Sequence, residues 1–508
     1  MDKNPTPRPR VKPHLAQPEP PSGERSRERG SPPDLVLDSV VSEPLRSVMR
    51  AQPEEPIGVI IETRSPAGAA AARHAIAALV KTVTDGREQV PARGDSPYVS
   101  VALTAAEIVE LCRRDSQAGS RGAPAVSVAA NPAPRRNIHR IWPNFEINGL
   151  TLRSAAATKC RAAQRTFDAN GEGIVWAVLD SGIDAGHRHF ALHGNLDLPD
   201  GLVPRSFVPE VADPLVDLNG HGTHVAGIIA GGLEPDSPAT GVGWYLDAEG
   251  GEQRQAVPVA GIAGMAPACK LLSCTVLRPD RTGDVTALLD ALLYVQELND
   301  GGRHLRVHGV NISVGHMFDP RWYAAGLTPV CREVDRLVSS GVVVVVAAGN
   351  TGYGYAKDPD GRTMRLGFAM TINDPGNAAR AITVGATSSS PHSTGVSFFS
   401  SKGPTGDGRM KPDLVAPGER VISAAAGELL RQAQQAAADA EYIESTGTSM
   451  SAPHVSGAAA GLLSVNREHI GSPDRVKEIL MRSATDLGRA PAFQGAGMLD
   501  ALRALQSV

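Results

Sequence analysis

The sequence predicts an α/β protein with a mostly parallel central sheet over residues 146–508. A small α+β domain of the ferredoxin-like kind precedes it over 54–145, after a disordered tail over 1–53. Three observations lead there. Residues 174–179 read Ile-Val-Trp-Ala-Val-Leu, a continuous apolar run of the kind found in a strand buried on both faces. Similar runs at 270–277, 307–314, 341–348 and 381–386 alternate with amphipathic stretches at 286–298 and 329–339, the pattern of strand–helix–strand units. The first 53 residues, by contrast, are rich in Pro, Arg, Glu and Ser and cannot bury enough apolar surface to order themselves.

Within 54–145, residues 57–62 and 98–103 alternate as strands, and 69–83 space apolar residues as a helix does. Thr104 and Glu107 form a capping box opening a helix that runs to about Arg113. Further strands are expected at 125–129 and 138–142, giving the order strand–helix–strand–helix–strand. Beyond 146, the Gly-, Pro- and Asp-rich stretches at about 232–258 and 352–373 read as surface loops.

Composition narrows the function classes. A chain of 508 residues has room for two or three domains, and a formal net charge of −4 offers no basic surface for nucleic acid or an anionic membrane. The densest apolar run, 342–348, is too short to span a bilayer. The polar, proline-rich start lacks the apolar segment of a secretory signal, and the five cysteines are odd in number with no C-x-x-C spacing. A cytoplasmic protein with reduced thiols is the expectation.

Chemistry concentrates in three short segments. Asp180 closes the first buried strand in Leu179-Asp180-Ser181-Gly182-Ile183-Asp184, at the strand end where α/β sheets build sites. His221 opens an apolar helix in Asn219-Gly220-His221-Gly222-Thr223-His224. Ser449 lies in Gly447-Thr448-Ser449-Met450-Ser451-Ala452-Pro453-His454, ahead of the apolar run 457–463, with Pro453 expected within the first turn of a helix. A serine at a helix start is either an N-cap or a nucleophile whose oxyanion the free N–H groups would receive. Acyl transfer by serine needs a base and a carboxylate to orient it, roles that His221 and Asp180 suit. Gly222 and Gly447 would leave room for substrate backbone. His221 with His224 is a poor metal pair, because no Glu lies between them as in H-E-x-x-H, and His304 with His308 fares no better. No metal ligands are assigned.

Together, D-S-G-I-D, H-G-T-H-V-A-G and G-T-S-M-S-A-P-H-V-S-G, in the chain order Asp, His, Ser, resemble the subtilisin-like serine proteases (subtilases, peptidase family S8). The likeness spans roughly 170–500. It implies a three-layer subtilisin-like domain and a serine endopeptidase with Asp180, His221 and Ser449 as triad. Val346-Ala347-Ala348-Gly349-Asn350 resembles the family's oxyanion segment, implying an oxyanion donor in Asn350 and substrate contacts from Ala348 and Gly349. Asn311-Ile312-Ser313-Val314-Gly315 resembles the edge that pairs with substrate backbone, implying substrate-binding roles for Ser313, Val314 and Gly315. Phe399-Ser400-Ser401-Lys402-Gly403-Pro404 and Lys411-Pro412-Asp413 resemble further family segments. The implied partners are protein or peptide substrates, with no nucleic acid, no membrane and no required cofactor.

Departures from the family pattern fall at two histidines and in an insertion after Asn350, which would cover or reshape the cleft. His316 stands where many relatives have a small residue near the specificity pocket, so specificity does not carry over. His189 stands where some relatives supply a calcium-binding Asp, so a structural calcium is not indicated. Residues 54–145, and 101–108 above all, resemble the family's inhibitory propeptides, implying an intramolecular inhibitor and a zymogen cut near 143–165. A permanently attached partner-binding domain is the alternative. Two other function classes stand beside the peptidase: a protease-like regulatory scaffold, and an esterase, which the missing G-x-S-x-G disfavours.

Overall fold

The protein is described from a computed structural model that covers residues 40–64, 69–88, 98–118, 136–143, 150–246, 252–318, 325–357, 363–390 and 395–508. It divides into two compact units, Met1–Ile147 and Asn148–Val508.

In the first unit, strands β1 (Ile57–Thr63), β2 (Tyr98–Leu103) and β3 (Ile138–Pro143) form an antiparallel sheet in the order β2-β1-β3. Helices Ala69–Val83 and Ala105–Ala118 pack with it, the second opened by the expected capping box: Thr104 N donates to Glu107 Oε2 at 2.7 Å, and Glu107 N to Thr104 Oγ1 at 3.3 Å. That helix runs five residues past Arg113, where buried Asp115 accepts from Asn137 N and Ile138 N, each at 3.1 Å. The tail assignment needs correction at its end. Residues Glu43–Ala51 are helical, and Val40, Val41 and Leu45 enter the core with Ile61 and Ile141. With Val48 and Met49 packed against the same core, these apolar residues anchor a stretch whose average composition is polar. The strand expected at 125–129 lies outside the described residues.

The second unit is built on seven parallel strands. In chain order these are β4 (Val175–Asp180), β5 (Arg205–Ser206), β8 (Lys270–Thr275), β9 (Gly309–Ile312), β10 (Val343–Ala347), β13 (Ile382–Ser388) and β14 (Leu414–Glu419). They lie side by side as β14-β13-β10-β9-β4-β8-β5, every pair parallel. The continuous apolar runs follow from burial on both faces. On β4, Trp176 and Val178 join a core with helices His221–Ile229 and Thr448–Val465, while Val175, Ala177 and Leu179 join another with helices Val285–Leu298 and Pro329–Ser339. Successive side chains point to opposite faces, so both faces are mostly apolar, and buried polar residues such as Ser273, Asn311 and Thr383 are hydrogen-bonded.

One glycine is demanded by this packing. Trp176 stands beside Gly309 on β9, and a Cβ there would lie 2.3 Å from the indole. The two stretches read as loops contain antiparallel hairpins, β6 (Pro238–Leu246) with β7 (Glu252–Ala260) and β11 (Tyr353–Lys357) with β12 (Thr363–Gly367). Their glycines and prolines hide the period-2 pattern. In the first hairpin, β6 is also held by pairing with β16 (Ala440–Ser445), which pairs in turn with β15 (Val421–Ala424).

Because the large sheet is parallel, the carboxyl ends of its strands share one edge. Asp180 ends β4, Ser313 follows β9, and Asn350 lies three residues beyond β10, on three adjacent strands.

Candidate active site

Asp180 is fully buried, and its Oδ1 accepts from Ser181 N at 2.8 Å and from His221 Nδ1 at 2.7 Å. A ring that donates through Nδ1 presents Nε2 as its basic nitrogen. The His221 side chain is 12% exposed, so that nitrogen stays reachable from the cleft. Gly222 has a different use from the one expected. A Cβ there would sit 2.2 Å from Gly182 O, so this glycine lets the helix start approach the Asp180 loop.

A second carboxylate ties these two segments together. Buried Asp217 accepts from Ser181 Oγ (2.9 Å), Asn219 N (3.1 Å), Gly220 N (2.8 Å), Thr223 N (2.9 Å) and Thr223 Oγ1 (2.8 Å). Ser181 Oγ in turn accepts from Gly222 N at 2.9 Å. Burial pushes the Asp217 pKa up, and the donors from Gly220 and Thr223 oppose that shift. Sequence reading missed Asp217 because the N-cap position is Gly220, and only the folded turn brings the Asp217 carboxylate to the free N–H groups of the helix start.

Ser449 is the second residue of helix Thr448–Val465. Its N–H has no intrahelical carbonyl to bond, as at any helix start. Pro453 is the sixth helical residue, beyond the first turn where it was expected. Having no N–H, it leaves the Ser449 carbonyl four residues back without its helical donor. Ser313 Oγ fills that place at 2.9 Å, and Ser449 Oγ donates to Ser313 O at 2.9 Å. Among the described residues, no hydrogen bond links Ser449 to His221 in this state.

Asn350 Oδ1 accepts from Thr448 N at 2.9 Å and Thr448 Oγ1 at 3.0 Å. With the oxygen held, the amide nitrogen is the end left free, and the side chain is exposed to the cleft. Gly447, at φ 155°, would place a Cβ 3.4 Å from that nitrogen. Thr448 Oγ1 also accepts from Gly349 N at 3.1 Å.

His221, Ser313, Val314, Gly315, Gly349, Asn350 and Ser449 line one cleft of about 410 Å³. Asp180 stands behind His221. Ala348 is placed elsewhere: it is buried, its N–H donates to Val384 O and its carbonyl accepts from Asn373 N, each at 2.9 Å, and Ala347 lines the cleft instead. His316 lines it too.

The other histidines singled out in the sequence each have a partner in the fold. His189 is fully buried, with Nε2 3.1 Å from both Gly227 O and Ala230 O and Nδ1 3.3 Å from Tyr442 Oη. Two carbonyls at one nitrogen make it the N–H donor, the reverse of what a cation ligand needs. His224 Nε2 lies 3.0 Å from Ile443 O, away from His221, and His308 Nδ1 accepts from Val175 N at 3.1 Å. His304 faces Asp300 on the surface at 3.4 Å. Among the described residues, no group of three or more His, Cys, Asp or Glu is arranged to hold a metal, and no helix is long and apolar enough to cross a membrane. All five cysteines are free and buried.

The profile of the Subtilase family matches residues 171–498. Serine protease AprX of Bacillus subtilis is 30% identical over 376 residues, covering 72% of this chain and 74% of AprX. Subtilisin E of the same organism is 29% identical over 336 residues, covering 66% of each chain. The intracellular serine protease of Paenibacillus polymyxa is 30% identical over 337 residues, covering 65% of this chain and 79% of that one. Taken with the seven-stranded parallel sheet and the cleft at its carboxyl edge, these matches make the chain a member of the subtilase family of serine proteases.

Proposed function

We propose that the protein is a serine endopeptidase that hydrolyses peptide bonds through an acyl-enzyme on Ser449. The observation that carries the reading is the 2.7 Å bond from His221 to buried Asp180, in a cleft shared with Ser449 and Asn350. His221 takes the Ser449 proton as base and returns it to the leaving amine as acid, while Asp180 holds the ring and stabilises its charged form. The Ser449 hydroxyl leaves the Ser313 carbonyl to do so. The Asn350 amide and the Ser449 N–H receive the oxyanion. The 313–315 edge binds substrate backbone, and the small residues Ala347 and Gly349 beside it leave space for the side chain at the cut.

Residues 54–145 act as an inhibitory propeptide in this reading, supported by the likeness at 101–108 and by their lying, with Val40, Val41 and Leu45, in a unit that has its own core.

Purified wild type and Ser449→Ala are compared on unfolded casein, with intact mass followed over time. Casein cleavage and N-terminal trimming near 143–165 in wild type alone are expected. Wild type inactive on peptides and esters alike sinks the enzyme, and cleavage of esters but never peptides replaces the peptidase with an esterase. Untrimmed but active wild type removes the propeptide.

A further inference from the structure

The cleft carries one uncommitted positive charge. Arg281 lines it together with His221 and Ser449, on the stretch between Val276 and Leu288. Its backbone sits at φ 69°, a left-handed conformation that L residues adopt at a cost and that collects at functional sites. The side chain is held in place: Nε donates to Asn219 Oδ1 at 2.9 Å, and the same oxygen faces His221 N at 3.3 Å. Asn219 is itself anchored through Nδ2 to Pro279 O at 3.0 Å.

The neighbouring charges are already neutralised or used. Arg278 pairs with Glu210 at 3.2 Å and with Asp284. Asp280 Oδ1 accepts from Thr282 N at 2.9 Å and from Thr282 Oγ1 at 2.6 Å, closing the turn that presents Arg281. Among the described residues, no carboxylate pairs with Arg281. A guanidinium needs no proton change to stay charged, and its fork matches a carboxylate. Around it the cleft wall is mostly apolar, with Val276, Leu277, Val285 and Leu288, and Asp284, the one carboxylate lining it among the described residues, is paired with Arg278. That combination suits a side chain with an alkyl stem and an acidic end.

We infer that Arg281 is a specificity-determining residue, and that it selects substrates carrying a glutamate at one fixed position near the scissile bond. The inference rests on the cleft being the peptide-binding site of the proposed endopeptidase. It assigns a substrate class that the family alone does not supply.

Matched peptides that differ only by Glu or Gln at each position around the cut test it, using full-length wild type, Arg281→Lys, Arg281→Gln and Arg281→Glu. The readout is the Glu:Gln ratio of kcat/KM within each protein, which cancels any loss of folded enzyme. Wild type is expected to favour Glu by about five-fold at one position, the strength of a good exposed ion pair, and less at high salt. Arg281→Lys keeps part of the preference, Arg281→Gln erases it, and Arg281→Glu reverses it. A wild type that cuts the Gln peptides but shows no Glu preference overturns this inference alone, as does a preference unchanged in Arg281→Glu. A wild type that cuts no peptide overturns the endopeptidase and this inference together.

Discussion

Ser313 and Ser449 exchange two hydrogen bonds of 2.9 Å, the hydroxyl of each donating to the carbonyl of the other. The exchange exists because Pro453 removes the helical donor that the Ser449 carbonyl would otherwise have. An interrupted helix thereby fastens the serine to the strand edge beside the cleft.

Ser313→Ala leaves the Ser449 carbonyl without that donor and is expected to lower stability by about 1–3 kcal/mol. Pro453→Ala restores an N–H at the right distance along the helix. In that background the same Ser313→Ala change should cost less, which a double-mutant cycle in urea measures. Equal costs in both backgrounds would show that the freed carbonyl is not what Ser313 answers.

Asp217→Asn places an amide where five donors converge. One oxygen can accept, but the –NH2 faces backbone N–H groups that cannot receive it and at best one reoriented hydroxyl. A loss of at least about 2 kcal/mol is expected, with a fall in kcat because the Asp180 and His221 segments lose their common anchor. Denaturation together with steady-state kinetics reads both. An unchanged kcat in the folded variant would make Asp217 a purely structural residue.

Gly309→Ala drives a methyl into the Trp176 ring. Overpacking of this kind costs about 1–3 kcal/mol and should appear as a lower melting temperature. Since the contact lies inside the sheet, the Glu:Gln preference of the cleft should not change with it.

Acid should destabilise the fold through its buried histidines as pH falls below about 6.5. Burial pushes the pKa of His189 and His224 down to about 3 and that of His454 down to about 4, against about 6.5 in an unfolded chain. Between those values the unfolded state binds more protons, so stability rises with pH and is lost as pH falls below 6.5. Each ring should cost on the order of 2 kcal/mol by pH 5. Urea midpoints at pH 7.5, 6 and 5 check this, and a constant midpoint would contradict it.

Residue order alone carried the second unit's architecture. The continuous apolar runs identify strands with two buried faces, and residues 329–339 read as a helix over the bounds observed. Asp180, His221, Ser449 and Asn350 stood out because each lies in a short motif, and the tertiary structure brings them to one sheet edge. Contacts between distant segments were not legible in the same way. The Ser313–Ser449 exchange joins residues 136 positions apart, and Ala347 rather than Ala348 meets the cleft through the pleat and partners of β10. The two hairpins concealed by Gly and Pro became strands only through cross-strand pairing. Local sequence sets which backbone and side-chain groups are available. Sheet register and helix placement decide which of them meet, since a one-residue shift sends a side chain to the opposite face.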